Sequence, residues 1–239
     1  MSSALIYALV AALGNVLGAL AVTRRATSEL KLIEHFLAFG AGFMLSVAIV
    51  ELLPEAFERS GSLAPALILA GYLAVHLTQH TLTPHLHFGE ETHAVSRIAG
   101  TSALVGLLLH MVFDGVAIAS AFLVRPELGV MVFVAIFLHK LPEGVMISSL
   151  MIAGGQSGGR AIGSAALLGL ATVLGVLLTD RVAVLVRHGL ALAAGVTLYV
   201  AASNLVPEFQ HKRGWKVPAS FFAGALAFFL TKTLLDTLT

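Results

Sequence analysis

His110-Met111-Val112-Phe113-Asp114-Gly115 and His139-Lys140-Leu141-Pro142-Glu143-Gly144 stand in two neighbouring apolar stretches, residues 98–123 and 128–153. Each sets an imidazole four residues before a carboxylate, with a glycine directly after it. Both stretches reach the ~20 residues that a helix needs to cross a bilayer core. Along a helix, four residues are about 400° of rotation and about 6 Å of rise, so each His shares a face with its carboxylate. An ionisable group at mid-membrane costs about 3 kcal/mol on insertion scales. Four of them converging mark a functional site.

Composition widens this local reading to the whole chain. Of 239 residues, 58% are hydrophobic and 11% charged, against about 25% charged in soluble domains. Too little polar surface exists to cover the apolar surface, so the solvent is a lipid bilayer. A net charge of +1 and no basic stripe give no reason to expect a nucleic-acid partner. With no cysteine, disulfides and thiolate ligation are excluded, and a metal must be held by imidazole, carboxylate, amide, carbonyl or thioether groups. No Lys or Arg precedes the first apolar run, so no cleavable secretory signal is expected.

Eight spans are expected, at 3–22, 32–54, 63–82, 98–123, 128–153, 160–179, 188–206 and 217–236. Runs of this length read as helices, giving an all-α, multi-pass protein of the cell membrane. Short connections make residues 1–239 a single transmembrane domain. Counting Lys and Arg in the loops puts both termini outside the cytoplasm. It also makes residues 83–97 a cytosolic, His-rich loop. His80, His85, His87 and His93, with Glu90 and Glu91 among them, are candidates for loose metal contact there; a solvated loop is the alternative.

Residues 41–55 and 194–208 align with Ala-Gly at the start and Leu-x-Pro-Glu at the end. They lie in the second and seventh spans, which run in opposite directions. Inverted repeats (spans 1–3 and 6–8) around a central pair (spans 4–5) are a transporter architecture. Glu51 and Asn204 occupy one position of this repeat and read as polar groups of the pathway.

His110, Asp114, His139 and Glu143 supply two nitrogen and two carboxylate ligands. The set suits zinc, ferrous iron, cobalt, manganese or cadmium. Two carboxylates and one dication sum to zero, and protons compete with the metal. Gly115 and Gly144 would bring the two ligand helices together. Pro142 frees the carbonyl of Leu138 beside His139. The rival for the four groups is a pair of metal-free ion pairs.

On these residues the chain resembles the ZIP (Zrt/Irt-like) family of divalent-metal transporters. The resemblance implies a 3+2+3 helix arrangement, rigid-body alternation around spans four and five, and metal movement into the cytoplasm. Zinc is the first-named cargo. His110, Asp114, His139 and Glu143 match the primary ligands. Many members carry further ligands directly after each His; here those positions hold Met111 and Lys140. A two-metal centre is therefore not expected, and Lys140 reads as a surrogate for the second cation, as a partner of Glu51, or as facing a water-filled vestibule. An intramembrane metal-dependent hydrolase and a metal-gated sensor are the functional rivals. The Gly14-x-x-x-Gly18 spacing permits a homodimer.

Overall fold

The computed structural model of the protein describes residues 2–24, 30–82, 97–210 and 214–238. Every regular element among them is helical. In order they are α1 (Ser2–Thr23), α2 (Leu30–Val47), α3 (Leu53–Ser60), α4 (Ala64–Leu82), α5 (Arg97–Val124) and α6 (Pro126–Ala153). Then come α7 (Gly158–Thr179), α8 (Ala183–Tyr199), the short α9 (Pro207–Gln210) and α10 (Lys216–Leu238).

Among the described residues, seven stretches are long and apolar enough to cross a membrane. One of them, Glu34–Gln79, runs for 46 residues. As one helix it would be about 69 Å long, more than twice a bilayer core. It is broken at Gly61, whose φ of 54° favours a residue without a Cβ. A single 3-10 turn, Gly61–Leu63, then leads into α4.

Helix ends fall within a few residues of the expected spans except at two places. The second span continues past Pro54 to Ser60, and α8 starts at Ala183, ahead of Arg187 and His188. The His188 ring is paired with the Ser60 hydroxyl at 2.9 Å, so a polar side chain is satisfied without ending the helix.

Two π-helical segments interrupt the bundle, Ala48–Leu52 and Val200–Leu205. At the first, the Leu53 N–H donates to the Ala48 carbonyl. At the second, the Val206 N–H donates to the Ala201 carbonyl at 3.1 Å. In both, proline follows directly, at Pro54 and Pro207. Proline cannot donate and crowds the carbonyl four residues back, and a widened turn ahead of it relieves that crowding.

Packing divides the helices into two groups. α1 lies on α6 and α7, and α5 lies on the same two; α2 lies on α10, and α4 on α8. The groups meet where α5 touches α8 and α4, and where α2 touches α6. Without a hydrophobic drive between helices in lipid, small residues set how closely they approach. A Cβ on Gly18 would stand 2.2 Å from the Leu141 carbonyl, and one on Gly144 would stand 2.0 Å from that of Asn15. These two contacts seat α1 on α6. Gly115 against Thr172 and Gly175 against Val112, both at 1.9 Å, seat α5 on α7 in the same way.

This corrects two expectations. Gly115 and Gly144 do not join the ligand helices to each other; each presses its helix against a flanking one. Likewise, Gly14 and Gly18 are covered inside the chain by α6 rather than left for a second copy. The apolar side chains of α1 and α10 that remain exposed, such as Leu13, Leu17, Phe222 and Leu230, form the outer surface.

In the second group, Gly42 abuts the Phe221 carbonyl and Gly224 abuts that of Phe39. Gly195 abuts Ile68, and Gly71 abuts Leu192. The displacement along the chain that carries Gly42 to Gly195 also carries Gly71 to Gly224, Phe39 to Leu192 and Ile68 to Phe221.

Candidate metal centre

α5 and α6 are joined by a single non-helical residue, Arg125, extended at φ −160° and ψ 150°. Pro126 opens α6, where its missing N–H costs nothing. Gly129 leaves room for the Phe122 ring, so the two helices start close together. This tight reversal sets His110 and Asp114 opposite His139 and Glu143.

All four side chains are buried, and one ligand atom from each lies within 4.8 Å of the others. The His110 Nε2 is 3.0 Å from Glu143 Oε1 and 3.5 Å from Asp114 Oδ2. The His139 Nε2 is 3.4 Å from Asp114 Oδ2 and 3.7 Å from Glu143 Oε1. For a tetrahedral ion with ligand bonds of about 2.0–2.2 Å, neighbouring ligand atoms stand about 3.2–3.6 Å apart. The four spacings of 3.0–3.7 Å straddle that range, and no pair of the four atoms is more than 4.8 Å apart. The His139 Nδ1–H donates to the Ala135 carbonyl at 3.0 Å. That bond fixes the tautomer and leaves the Nε2 lone pair facing inward, as a metal ligand requires. The Nδ1 of His110 has no partner among the described residues.

Lys140 is fully buried. Its ammonium donates to Asp114, to Glu143 Oε2 at 3.2 Å and to the Met111 thioether at 2.8 Å. It is paired neither with Glu51 nor with a water-filled vestibule: Glu51 lies on the other helix group, and the carboxylates of the site are nearer. Glu143 thus divides its oxygens, one towards the histidines and one towards the ammonium. Met111 and Lys140, read separately in the sequence, meet in space. The charge sum changes accordingly. Two carboxylates and one ammonium leave −1 without a dication and +1 with one, rather than the zero expected for four ligands alone.

Glu51 is buried, and its Oε2 accepts from Arg125 at 2.6 Å. Its other oxygen accepts from Lys232 of α10. The Asn204 amide donates to Gln79 of α4 at 2.8 Å. Sequence reasoning missed Lys232 and Gln79 as partners. Carrying the repeat from Glu51 and Asn204 into the next span reaches both, because Gln79 and Lys232 are related by the same displacement. His35 pairs with Ser220 at 2.8 Å, and His76 stacks edge-on against Tyr199, so both pack rather than ligate. His85, His87 and His93 lie outside the described residues, and of His80 only the backbone, in the last turn of α4, is described.

Long apolar helices and a buried imidazole–carboxylate cluster between two of them are the features expected of a metal transporter. A family model described as ZIP zinc transporter matches residues 86–232. Zinc transporter GufA of Myxococcus xanthus is 31% identical over 258 residues, covering 99% of this chain and 98% of that protein. Zinc transporter ZIP13 of Pongo abelii is 25% identical over 204 residues, with 77% of this chain and 61% of the relative aligned. Zinc transporter ZIP9-B of Xenopus laevis is 28% identical over 155 residues, 59% of this chain and 51% of that one. The chain belongs to the ZIP zinc transporter family. It is a transporter rather than an enzyme, and the hydrolase reading falls.

Proposed function

We propose that this protein moves zinc into the cytoplasm by alternating access, through one site formed by His110, Asp114, His139 and Glu143. The observation that carries the reading is the meeting of four buried ligand atoms, two imidazole and two carboxylate, within 4.8 Å of one another. The relatives named as zinc transporters point to the same ion. Ferrous iron, manganese, cobalt and cadmium accept the same ligands and remain competitors. Lys140 takes the place of a second cation, so the site holds one metal. Its contacts with Asp114 and Glu143 support this reading.

The Glu34–Gln79 stretch crosses the membrane twice, which makes eight spans in a 3+2+3 arrangement with both termini outside the cytoplasm. The matching close contacts, Gly42 on Phe221 beside Gly195 on Ile68, and Gly71 on Leu192 beside Gly224 on Phe39, support an inverted repeat. So do the two π-turns ahead of Pro54 and Pro207. α1, α5, α6 and α7 move as a unit against the other helices, and the whole of residues 1–239 acts as one transmembrane domain. Residues 83–97 form a cytosolic loop whose histidines meet the ion as it leaves.

The test is zinc uptake into proteoliposomes by the purified parent and by His139→Ala. Uptake by the parent and its loss in the variant are expected; uptake that survives would remove His139 from the path.

A further inference from the structure

Outside the metal centre, a polar network joins the two helix groups. Arg125, the single residue between the two ligand helices, sends one arm of its guanidinium to Glu51 at 2.6 Å and the other to Glu55 at 3.0 Å. Both carboxylates belong to the second group, Glu51 in the π-turn and Glu55 in α3. Arg59 of α3 adds to the clasp, reaching back to the Leu123 carbonyl at the end of α5 at 3.4 Å while its Nε stays on Glu55. Lys232 of α10 holds the other oxygen of Glu51.

The repeat provides an internal comparison. The displacement that relates Glu51 to Asn204 and Gln79 to Lys232 makes Glu51–Lys232 the counterpart of Asn204–Gln79, each pair joining one repeat to the other. Both pairs lie within the second group. The pair with the carboxylate also holds a cation from the first group, while the amide of Asn204 in the counterpart pair carries no charge to attract one. The polar contacts between the groups are therefore charged at the mouth where Arg125 lies.

We propose that Arg125 is a positioning residue for transport, an ionic latch that holds the ligand-bearing helices against the second group and keeps this mouth shut. It touches no ion in the site. It sets which way the site faces. The forked, charge-assisted geometry gives direction as well as attraction. A side chain that is 40% exposed keeps the latch weak enough to release in each cycle. The proposal rests on the two helix groups moving against each other.

Because the chain has no cysteine, a single introduced thiol reports without background. Ser120 is buried where α5 meets Gly189 of α8, between the groups and close to the Arg125 end. The experiment measures modification of Ser120→Cys by a membrane-impermeant thiol reagent, with Arg125 intact and in Arg125→Gln. The latch predicts labelling faster by about tenfold, the scale of a partly exposed two-armed ion pair. The zinc dissociation constant should stay within about twofold of the parent, since the ligands are untouched. Arg125→Lys, which keeps the charge and loses the fork, should fall between.

If Arg125→Gln fails to fold, Glu55→Gln removes one arm alone and predicts roughly threefold faster labelling. Unchanged labelling in the folded variants overturns the latch, and so does weakened zinc binding without a labelling change. Zinc uptake by the parent is read separately. Its absence would count against the transport reading while labelling still reports on the mouth.

Discussion

Replacing Lys140 by leucine removes the ammonium and keeps most of the apolar volume of its stem. Asp114 and Glu143 then lose the ammonium they share and keep only the two histidine rings as partners. Removing one partner of a buried ion pair costs about 3–5 kcal/mol, because the remaining charge is left unpaired. In a chain of this length each kcal/mol shifts the melting temperature by about 2–4 °C. With a chelator present, the variant should melt roughly 10 °C below the parent. Excess zinc changes the comparison. The primary site stabilises both proteins, the variant more because no ammonium repels the ion, and only the variant offers room for a second ion beside the freed oxygens. At a hundredfold excess over its dissociation constant, that ion contributes about 2.7 kcal/mol. The gap should therefore shrink by more than half in zinc, and metal counting should rise from one to two per chain. Thermal unfolding of detergent-purified protein, with and without metal, reads both effects. An equal gap under the two conditions, with the count still at one, would refute the idea that Lys140 takes the place of a cation.

Three further outcomes follow from the same geometry. Gly144→Ala sets a Cβ 2.0 Å from the Asn15 carbonyl and should destabilise by about 1–3 kcal/mol, whereas Gly163→Ala meets open space in α7 and should be neutral or slightly stabilising in the same melting assay. Asn204→Glu alone adds a half-buried charge with no cation beside it and should lower the melting temperature, and adding Gln79→Lys should restore it by rebuilding the counterpart of the Glu51–Lys232 pair; a double variant no better than the single would count against that equivalence. Tyr72→Phe removes the hydrogen bond to Ser203 and should cost about 0.5–1.5 kcal/mol with zinc uptake retained, which paired melting and uptake measurements would show.

The buried cluster of His110, Asp114, His139 and Glu143 was legible because polarity is conspicuous in an apolar run. His110 and Asp114, and His139 and Glu143, each announce a helical face by spacing alone. The helices were legible for the same reason: lipid leaves a long apolar segment no other way to satisfy its backbone. What spacing could not tell is which helix each face meets. Gly115 and Gly144 look like the seam between two ligand helices, yet each serves a different neighbour. Lys140 has several acidic residues within plausible reach, and only the packing of α5 on α6 selects Asp114 and Glu143 over Glu51. Arg125 entered the sequence reading as one loop charge among several. Its role depends on contacts with α3 and the π-turn, more than sixty residues away, which no local pattern encodes. The Gln79 and Lys232 pairings were within reach, because the repeat that links Glu51 to Asn204 extends one helix further.

The central claim is that one divalent cation sits between α5 and α6, held by two histidines and two carboxylates. Anomalous diffraction from crystals of the zinc-loaded protein, recorded either side of the zinc absorption edge, tests it directly. The account predicts one peak per chain, about 2.0–2.2 Å from the Nε2 atoms of His110 and His139 and from an oxygen of Asp114 and of Glu143. A peak elsewhere, or a second one beside Met111 and Lys140, would contradict it.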